Sequence, residues 1–261
     1  MNILFISDIM GDPGRRAVKH HLPALRDRYR LDAVIANGEN AAGGFGITQR
    51  LAEELLDMGI DILTSGNHIW DKKEIVEYVD KEDRLIRPAN FPSGVPGYGS
   101  ALISAGGVKT GIINLMGRIF MLPIDCPFRK AEEEIEKLKA QGAKVIMIDF
   151  HAEATSEKIA LARYLDGRVT AVVGTHTHVQ TSDEKILPNG TAYITDVGMT
   201  GPHDSVIGVT AELAIKRFLT QMPARFDVAK GPGTLQAVVI NADPGTGLAL
   251  GIERLSILSD N

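Results

Sequence analysis

Two histidines separated by one residue, in Gly174-Thr175-His176-Thr177-His178, follow directly on the apolar run Val169-Thr170-Ala171-Val172-Val173. Imidazole is the commonest side-chain metal ligand near neutral pH. A strictly extended strand would send the two rings to opposite faces. The pair can serve one inorganic site only if the chain turns, and Gly174 is the residue expected to allow it. Taken alone, such a pair is as readily two hydrogen-bonded loop histidines. Other strand ends shift that balance. Asp8 closes the run from Asn2, and Asn37-Gly38-Glu39-Asn40 closes the run from Asp32. Ser65-Gly66-Asn67-His68 closes the run from Asp61, and Asp149-Phe150-His151 the run from Lys144. Each residue has a bland reading: Asp8 as a helix N-cap, Glu39 and Asn40 as turn residues, Asn67 as an Asx-turn, His68 and His151 as satisfied histidines. Together they sit at the carboxyl ends of strands, where α/β sheets collect ligands. The set is specific although its members are not.

A mixed Asp, Glu, Asn and His set is too large for one tetrahedral zinc and contains no thiolate. It suits two divalent ions such as Mn, Fe or Zn, with Glu39 the natural bridge because its two oxygens can each serve one ion. Two ions ~3.5–4 Å apart stabilise both the attacking and the leaving oxygen of a phosphoryl displacement and make hydroxide available near neutral pH.

The elements that must position these residues alternate strand and helix through the first half. Strands are expected at 2–7, 32–36 and 61–64, and helices at 15–30, 48–58, where Thr48 could cap, and 72–79. Residues 88–99, rich in Pro and Gly, read as a loop, and 101–104 with 109–115 as a hairpin turning at Gly106-Gly107. Helix 130–140, strand 144–150 and helix 156–165 lead to the strand before the histidine pair. Residues 191–195, a helix at about 209–219, and strands 233–240 and 248–254 around Asp243-Pro244-Gly245 complete the chain. Parallel β/α units first and antiparallel strands later, with no linker or repeat, predict one domain over 1–261 with two packed sheets and helices outside.

Composition narrows the function classes. The 261 residues are 44% hydrophobic and 23% charged, with net charge −5. Nothing resembles the basic stripe of a duplex-binding protein, whereas a small phosphorylated substrate stays compatible because bound cations supply local positive charge. The single cysteine, Cys126, excludes an intramolecular disulfide and reads as a packed loop thiol. No apolar run is of membrane-spanning length, so a cytoplasmic address without membrane attachment is expected.

Asp8, Gly38-Glu39-Asn40, Gly66-Asn67-His68, His151 and Gly174-Thr175-His176-Thr177-His178, in this order, resemble the calcineurin-like metallophosphoesterases. Asn37 to Gly44, Gly66 to Trp70, Thr175 to Thr181 and Thr195 to Pro202 look like the bacterial YmdB-like branch almost residue for residue, and the resemblance runs from Met1 to about Val209. It implies a four-layer αββα sandwich of two mixed β-sheets flanked by helices. It implies one metal held by Asp8, Glu39, Asn40 and His178, and a second held by Glu39, Asn67, His151 and His176. His68 would be the general acid, and the activity hydrolysis of 2′,3′-cyclic nucleotides or related phosphodiesters by metal-activated hydroxide. Fe or Mn are the favoured ions, with Zn admitted. RNA ends of the same chemistry and self-association into a homo-oligomer are compatible with this reading. The wider superfamily's Asp-x-His opening is Asp8-Ile9-Met10 here, and its Gly-Asp is Gly38-Glu39; both departures match the YmdB-like branch, with Asn40 placed to fill the vacant position. Rival readings are a phosphomonoesterase or nuclease on the same metals, and a regulatory protein with a structural metal site. Secondary candidates are Gly43-Gly44-Phe45-Gly46 and Arg118 for phosphate and His203 for the pocket wall. Trp70, His20 and His21 read as packing or surface residues.

Overall fold

In the computed structural model, which describes residues 1–223 and 227–259, the apolar runs become the inner strands of two mixed sheets. In chain order the elements are β1 (Asn2–Ile6), β2 (Asp8–Ile9), α1 (Gly11–Tyr29), β3 (Ala33–Asn37), α2 (Gln49–Asp57), β4 (Ile62–Thr64), α3 (Ile75–Tyr78), β5 (Ser100–Ala105), β6 (Val108–Met116), α4 (Pro127–Ala140), β7 (Val145–His151), α5 (Thr155–Tyr164), β8 (Ala171–Thr175), β9 (Lys185–Ile186), β10 (Ala192–Ile194), β11 (Met199–Pro202), α6 (Ala211–Thr220), β12 (Gly233–Ala242) and β13 (Ala249–Leu258). The first sheet runs β2-β11-β12-β1-β3-β4, with β13 also on β12; the second runs β5-β6-β7-β8-β10-β9. Within them β1, β3 and β4 are parallel, as are β6, β7, β8 and β10.

Side-chain alternation builds the layers. Ile3 and Phe5 face the core between the sheets with Ile35, Met147, Val173 and Ile194. Leu4 and Ile6 face the other way, against Val18, Leu22 and Leu55 of α1 and α2. Ile146, Ile148 and Phe150 cover the outer face of the second sheet, against Ile135 of α4 and Leu161 of α5. Three apolar layers between four structural layers give the αββα sandwich that the resemblance implied. Strands covered on both faces read as continuous apolar runs, which is why they were legible.

Several boundaries differ. α1 opens at Gly11 rather than Arg15, with Pro13 in the first turn, where its missing N–H would be unpaired anyway. The helix expected over 72–79 is a single turn at Ile75–Tyr78. β2, β9 and β11, of two to four residues, were not foreseen; β2 pairs with β11, which is distant in sequence. The Thr48 cap is present, the Leu51 N–H donating to its Oγ1 at 3.3 Å. Gly106 and Gly107 turn the β5–β6 hairpin with φ of 55° and 79°, and Asp243 accepts from the Gly245 N–H at 2.8 Å in the last turn.

Candidate metal centre

The C-terminal ends of β3, β4, β7 and β8 meet at one edge where the two sheets face each other. His151, the last residue of β7, is fully buried and lies at the middle. Its Nε2 is 3.0 Å from Glu39 Oε1, 3.0 Å from Asn67 Oδ1 and 3.0 Å from His176 Nδ1. One ring nitrogen carries at most one proton, so three such neighbours cannot all be its hydrogen-bond partners. Donor atoms about 3 Å apart form the edge made by ligands 2.0–2.1 Å from one ion at right angles. Glu39, His151 and His176 form the group of carboxylate and imidazole ligands, among the described residues, close enough to hold one ion.

Three histidines are turned toward the centre by what they bind on their other nitrogen. His151 Nδ1 is 3.0 Å from Thr175 Oγ1, whose own proton goes to Asp149 Oδ1 at 2.7 Å, so the hydroxyl accepts from the ring. Asp149 is itself fixed by Asn37 Nδ2 at 3.0 Å and by Thr64. His176 Nε2 faces Glu153 Oε2 at 3.1 Å, leaving Nδ1 toward His151. His178 Nδ1 donates to the Ile207 carbonyl at 2.9 Å, leaving Nε2 beside Asn40 Nδ2 at 3.2 Å.

The bend between His176 and His178 is made differently from expectation. Gly174 lies inside β8 and has no positive φ; the left-handed residues are His176 at 100° and His178 at 63°. Asp196 holds that turn, accepting from Thr177 N–H at 3.1 Å and from Lys158 Nζ at 2.7 Å in a fully buried ion pair. Gly174 is needed for another reason: a Cβ there would lie 1.8 Å from the Thr195 carbonyl, just past the end of β10. Gly66 has an analogous role, since its Cβ would come within 2.4 Å of both His151 Nε2 and Glu39 Oε2.

On the other side of Glu39 stand Asp8, Asn40 and His178. Asp8 is part of β2, not a helix cap, and its Oδ2 accepts from the His176 N–H at 2.9 Å. Its Oδ1 and the Asn40 Oδ1 are buried with no hydrogen-bond partner. His178 Nε2 is 3.9 Å from Asp8 Oδ2, and Asn40 Nδ2 is 3.4 Å from Glu39 Oε1. Orphaned buried oxygens are costly unless something meets them, and a divalent cation is what oxygens in this setting fit. The structure thus gathers Asp8, Glu39, Asn40, Asn67, His151, His176 and His178 around one carboxylate.

Electrostatics differ across the centre. Burial alone would raise Glu39, but His151 and His68 outweigh it and hold the carboxyl at about 2. Burial would lower His151, yet Glu39, Asp8 and Asp149 hold it at about 9 in the metal-free chain. Burial, with His151 adding to it, takes His176 down to about 3, so its Nδ1 lone pair is available at neutral pH. Burial pushes the Asp8 carboxyl up.

His68 lies at the rim. Its N–H donates to Glu39 Oε2 at 3.2 Å and its Nδ1 meets Asp71 Oδ2 at 2.8 Å. It lines a cavity of about 500 Å³ with Glu39, Asn40, Phe45, His176 and His178. A cleft of about 810 Å³ elsewhere, lined by Arg16, Lys19, His20 and Ser259, is larger but has no such cluster. Arg118 is exposed and not among the residues lining the metal-side cavity, its N–H bound to Glu157 at 3.1 Å. His203 is exposed, 2.9 Å from Thr234 Oγ1, and borders an adjacent groove. Trp70 packs edge-to-face on Phe91, and Cys126 is half-buried where α4 begins. Sequence reasoning missed Asp71, Asp149, Glu153 and Asp196. Only Asp149 carried a signal, the period-2 spacing that places it on the same strand face as His151. No helix among the described residues is long and apolar enough to cross a membrane.

The family model described as YmdB-like protein matches residues 4–255. Over 261 residues the chain is 54% identical to a Bacillus subtilis protein named 2′,3′-cyclic-nucleotide 2′-phosphodiesterase, covering all of this chain and 98% of that one. A crystal structure from Thermus thermophilus superposes with a TM-score of 0.93 at 45% identity, all of both chains covered. A structure described as a novel phosphatase of Mycoplasma pneumoniae also gives 0.93, at 36% identity, covering all of this chain and 94% of that one.

Proposed function

The chain belongs to the YmdB-like protein family, and on that premise we propose that it is a metal-dependent phosphodiesterase opening 2′,3′-cyclic nucleotides at the 2′-oxygen. The observation that supports this best is the convergence on Glu39: a 3.0 Å cluster of ligand atoms on one side and two orphaned buried oxygens on the other. Asp8, Glu39, Asn40 and His178 would hold one ion, and Glu39, Asn67, His151 and His176 the other. Fe or Mn suit this N/O set, and Zn is admitted. When bound, the ions supply a hydroxide near neutral pH and offset charge on the phosphoryl oxygens.

The chain's own residues do the rest. Thr175, Glu153 and the Ile207 carbonyl orient the three ligand rings. Asp71 occupies Nδ1 of His68, so Nε2 is the nitrogen that exchanges a proton. As the oxygen of water bonds to phosphorus and the P–O2′ bond breaks, His68 gives its proton to O2′. The product is a nucleoside 3′-monophosphate with a free 2′-hydroxyl. An RNA ending in a cyclic phosphate presents the same diester. The reading includes one catalytic domain over the whole chain and, from the single cysteine, a reducing cytoplasm.

A second reading, monoester hydrolysis at the same residues, has support in the phosphatase description of the Mycoplasma pneumoniae relative. Rates of the metal-loaded enzyme on 2′,3′-cyclic AMP, p-nitrophenyl phosphate and a linear RNA oligomer decide between them. Fastest turnover of the cyclic diester, with 3′-AMP as product, is expected. A preference for the monoester or the oligomer would replace the reading.

A further inference from the structure

We propose that Phe45 seats the nucleobase and thereby decides which of the two ester oxygens leaves, an inference that rests on the diesterase reading above. The glycine-rich loop around Phe45 is closed by its own backbone. Its Gly44 N–H donates to the Asn40 carbonyl at 3.1 Å, and the Ala42 N–H donates to the Gly46 carbonyl at 2.9 Å, which closes the loop on itself. Gly43, Gly44 and Gly46 take φ of 70°, 95° and 77°, conformations that L side chains resist. At Gly44 and Gly46 the loop also packs tightly. A Cβ on Gly46 would lie 3.0 Å from Lys72 Cγ and 3.3 Å from the His68 carbonyl, and one on Gly44 3.0 Å from Met10 Cε. Gly46 thus lets this loop lie directly against the turn that carries His68.

What the loop delivers there is an aromatic ring. The Phe45 and His68 ring centroids are 5.1 Å apart at 74°. In either sense of that T, His68 leaves at least one face of Phe45 uncovered. Phe45 remains 37% exposed and lines the cavity that holds Glu39, His176 and His178. A half-open aromatic held by a glycine-shaped loop has a use that burial does not explain.

Covalent structure connects that ring to the reaction. In a 2′,3′-cyclic nucleotide, the carbon bearing O2′ is bonded to C1′, which bears the base. If His68 protonates O2′, the base lies on the His68 side of the ribose, where Phe45 is. With the ribose turned round, O3′ would meet His68 and the base would point away from Phe45. Stacking on Phe45 therefore favours breakage of the P–O2′ bond. Every base has a π-face, so the seat accepts all four nucleotides while discriminating against cyclic diesters without a base.

The test compares kcat/KM for 2′,3′-cyclic AMP with that for glycerol 1,2-cyclic phosphate, in the metal-loaded wild type and in Phe45→Ala, Phe45→Leu and Phe45→Trp. The ratio is expected to fall about tenfold in Phe45→Ala and Phe45→Leu, mainly through KM for the nucleotide, and to be kept in Phe45→Trp. The fraction of 2′-AMP in the product should rise with the loss of the ring. An unchanged ratio and product isomer in Phe45→Leu, with both diesters still turned over, would overturn the seat while leaving the activity intact. A wild type that hydrolyses neither diester would overturn the activity and the seat with it.

Discussion

The two sides of Glu39 are built on opposite electrostatic terms. On the His151 side Glu39 and His151 form an ion pair without any cation: Glu39 is held at about 2, His151 at about 9, and their atoms meet at 3.0 Å. On the Asp8 side the nearest carboxylate–imidazole approach is 3.9 Å, burial pushes the Asp8 carboxyl up, and two oxygens have no partner. One side must give up the His151 proton to accept an ion; the other has oxygens that only an added group can meet. A self-paired site preserves ligand geometry in the metal-free chain, whereas the unpaired side makes that chain less stable than it would otherwise be. The contrast makes the His151 side the preorganised half and the Asp8 side the half that gains most from an ion.

The largest effect should come from a residue outside both halves. His68→Ala is expected to keep its metal content while kcat on 2′,3′-cyclic AMP falls by roughly 10²–10⁴; a near-normal rate would remove the acid from the scheme. Next, Thr175→Val takes away the hydroxyl that orients His151 and relays it to Asp149. Metal affinity should weaken by about 10–100-fold for one ion and little for the other, read by titrating the metal-free protein. Equal weakening of both would erase the distinction between halves. A smaller effect is expected from Asp8→Asn in the metal-free chain. Removing a buried carboxyl whose pKa is raised should lift Tm at neutral pH by about 2–4 °C for a stability gain near 1 kcal/mol. A drop would mean that Asp8 is already satisfied.

The pH dependence is subtler. His151, raised from its ordinary 6.5 to about 9, contributes stability that is present below 6.5 and lost as pH rises through 9. His176, lowered to about 3, works in the other window: the unfolded chain binds the extra proton, so stability rises between pH 3 and 6.5. Metal-free Tm should therefore peak near pH 6.5 and decline toward 9. Since an ion must displace the His151 proton, the Tm increase on adding metal should grow across that decline. A metal-induced shift that shrinks from pH 6.5 to 9 would contradict the preorganised half.

Much of this was legible before the structure, for physical reasons that also mark the limits. β1, β3, β7 and β8 are buried on both faces and announce themselves as apolar runs, and the ligands follow at their ends. β2 and β11 carry Asp8, Gly201 and Pro202, and exist because each pairs with a strand distant in sequence, which no local pattern encodes. The bend at the histidine pair was assigned to the glycine because glycine is the easy left-handed residue. Here Asp196 and the buried Lys158 hold the turn while His176 and His178 take the positive φ themselves. Glu153 orients its ring through a tertiary contact and Asp71 through a local one three residues on, and both look like ordinary surface residues in one dimension.

The proposal at the centre is that Glu39 would serve two ions in one phosphodiesterase site. It is tested most directly by elemental analysis of the wild type and of Glu39→Ala after reconstitution with Mn or Fe, each sample assayed on 2′,3′-cyclic AMP. About two equivalents with turnover in the wild type, and loss of both in the variant, is the predicted result. A Glu39→Ala protein that keeps two equivalents, or a wild type that takes up none, would contradict it.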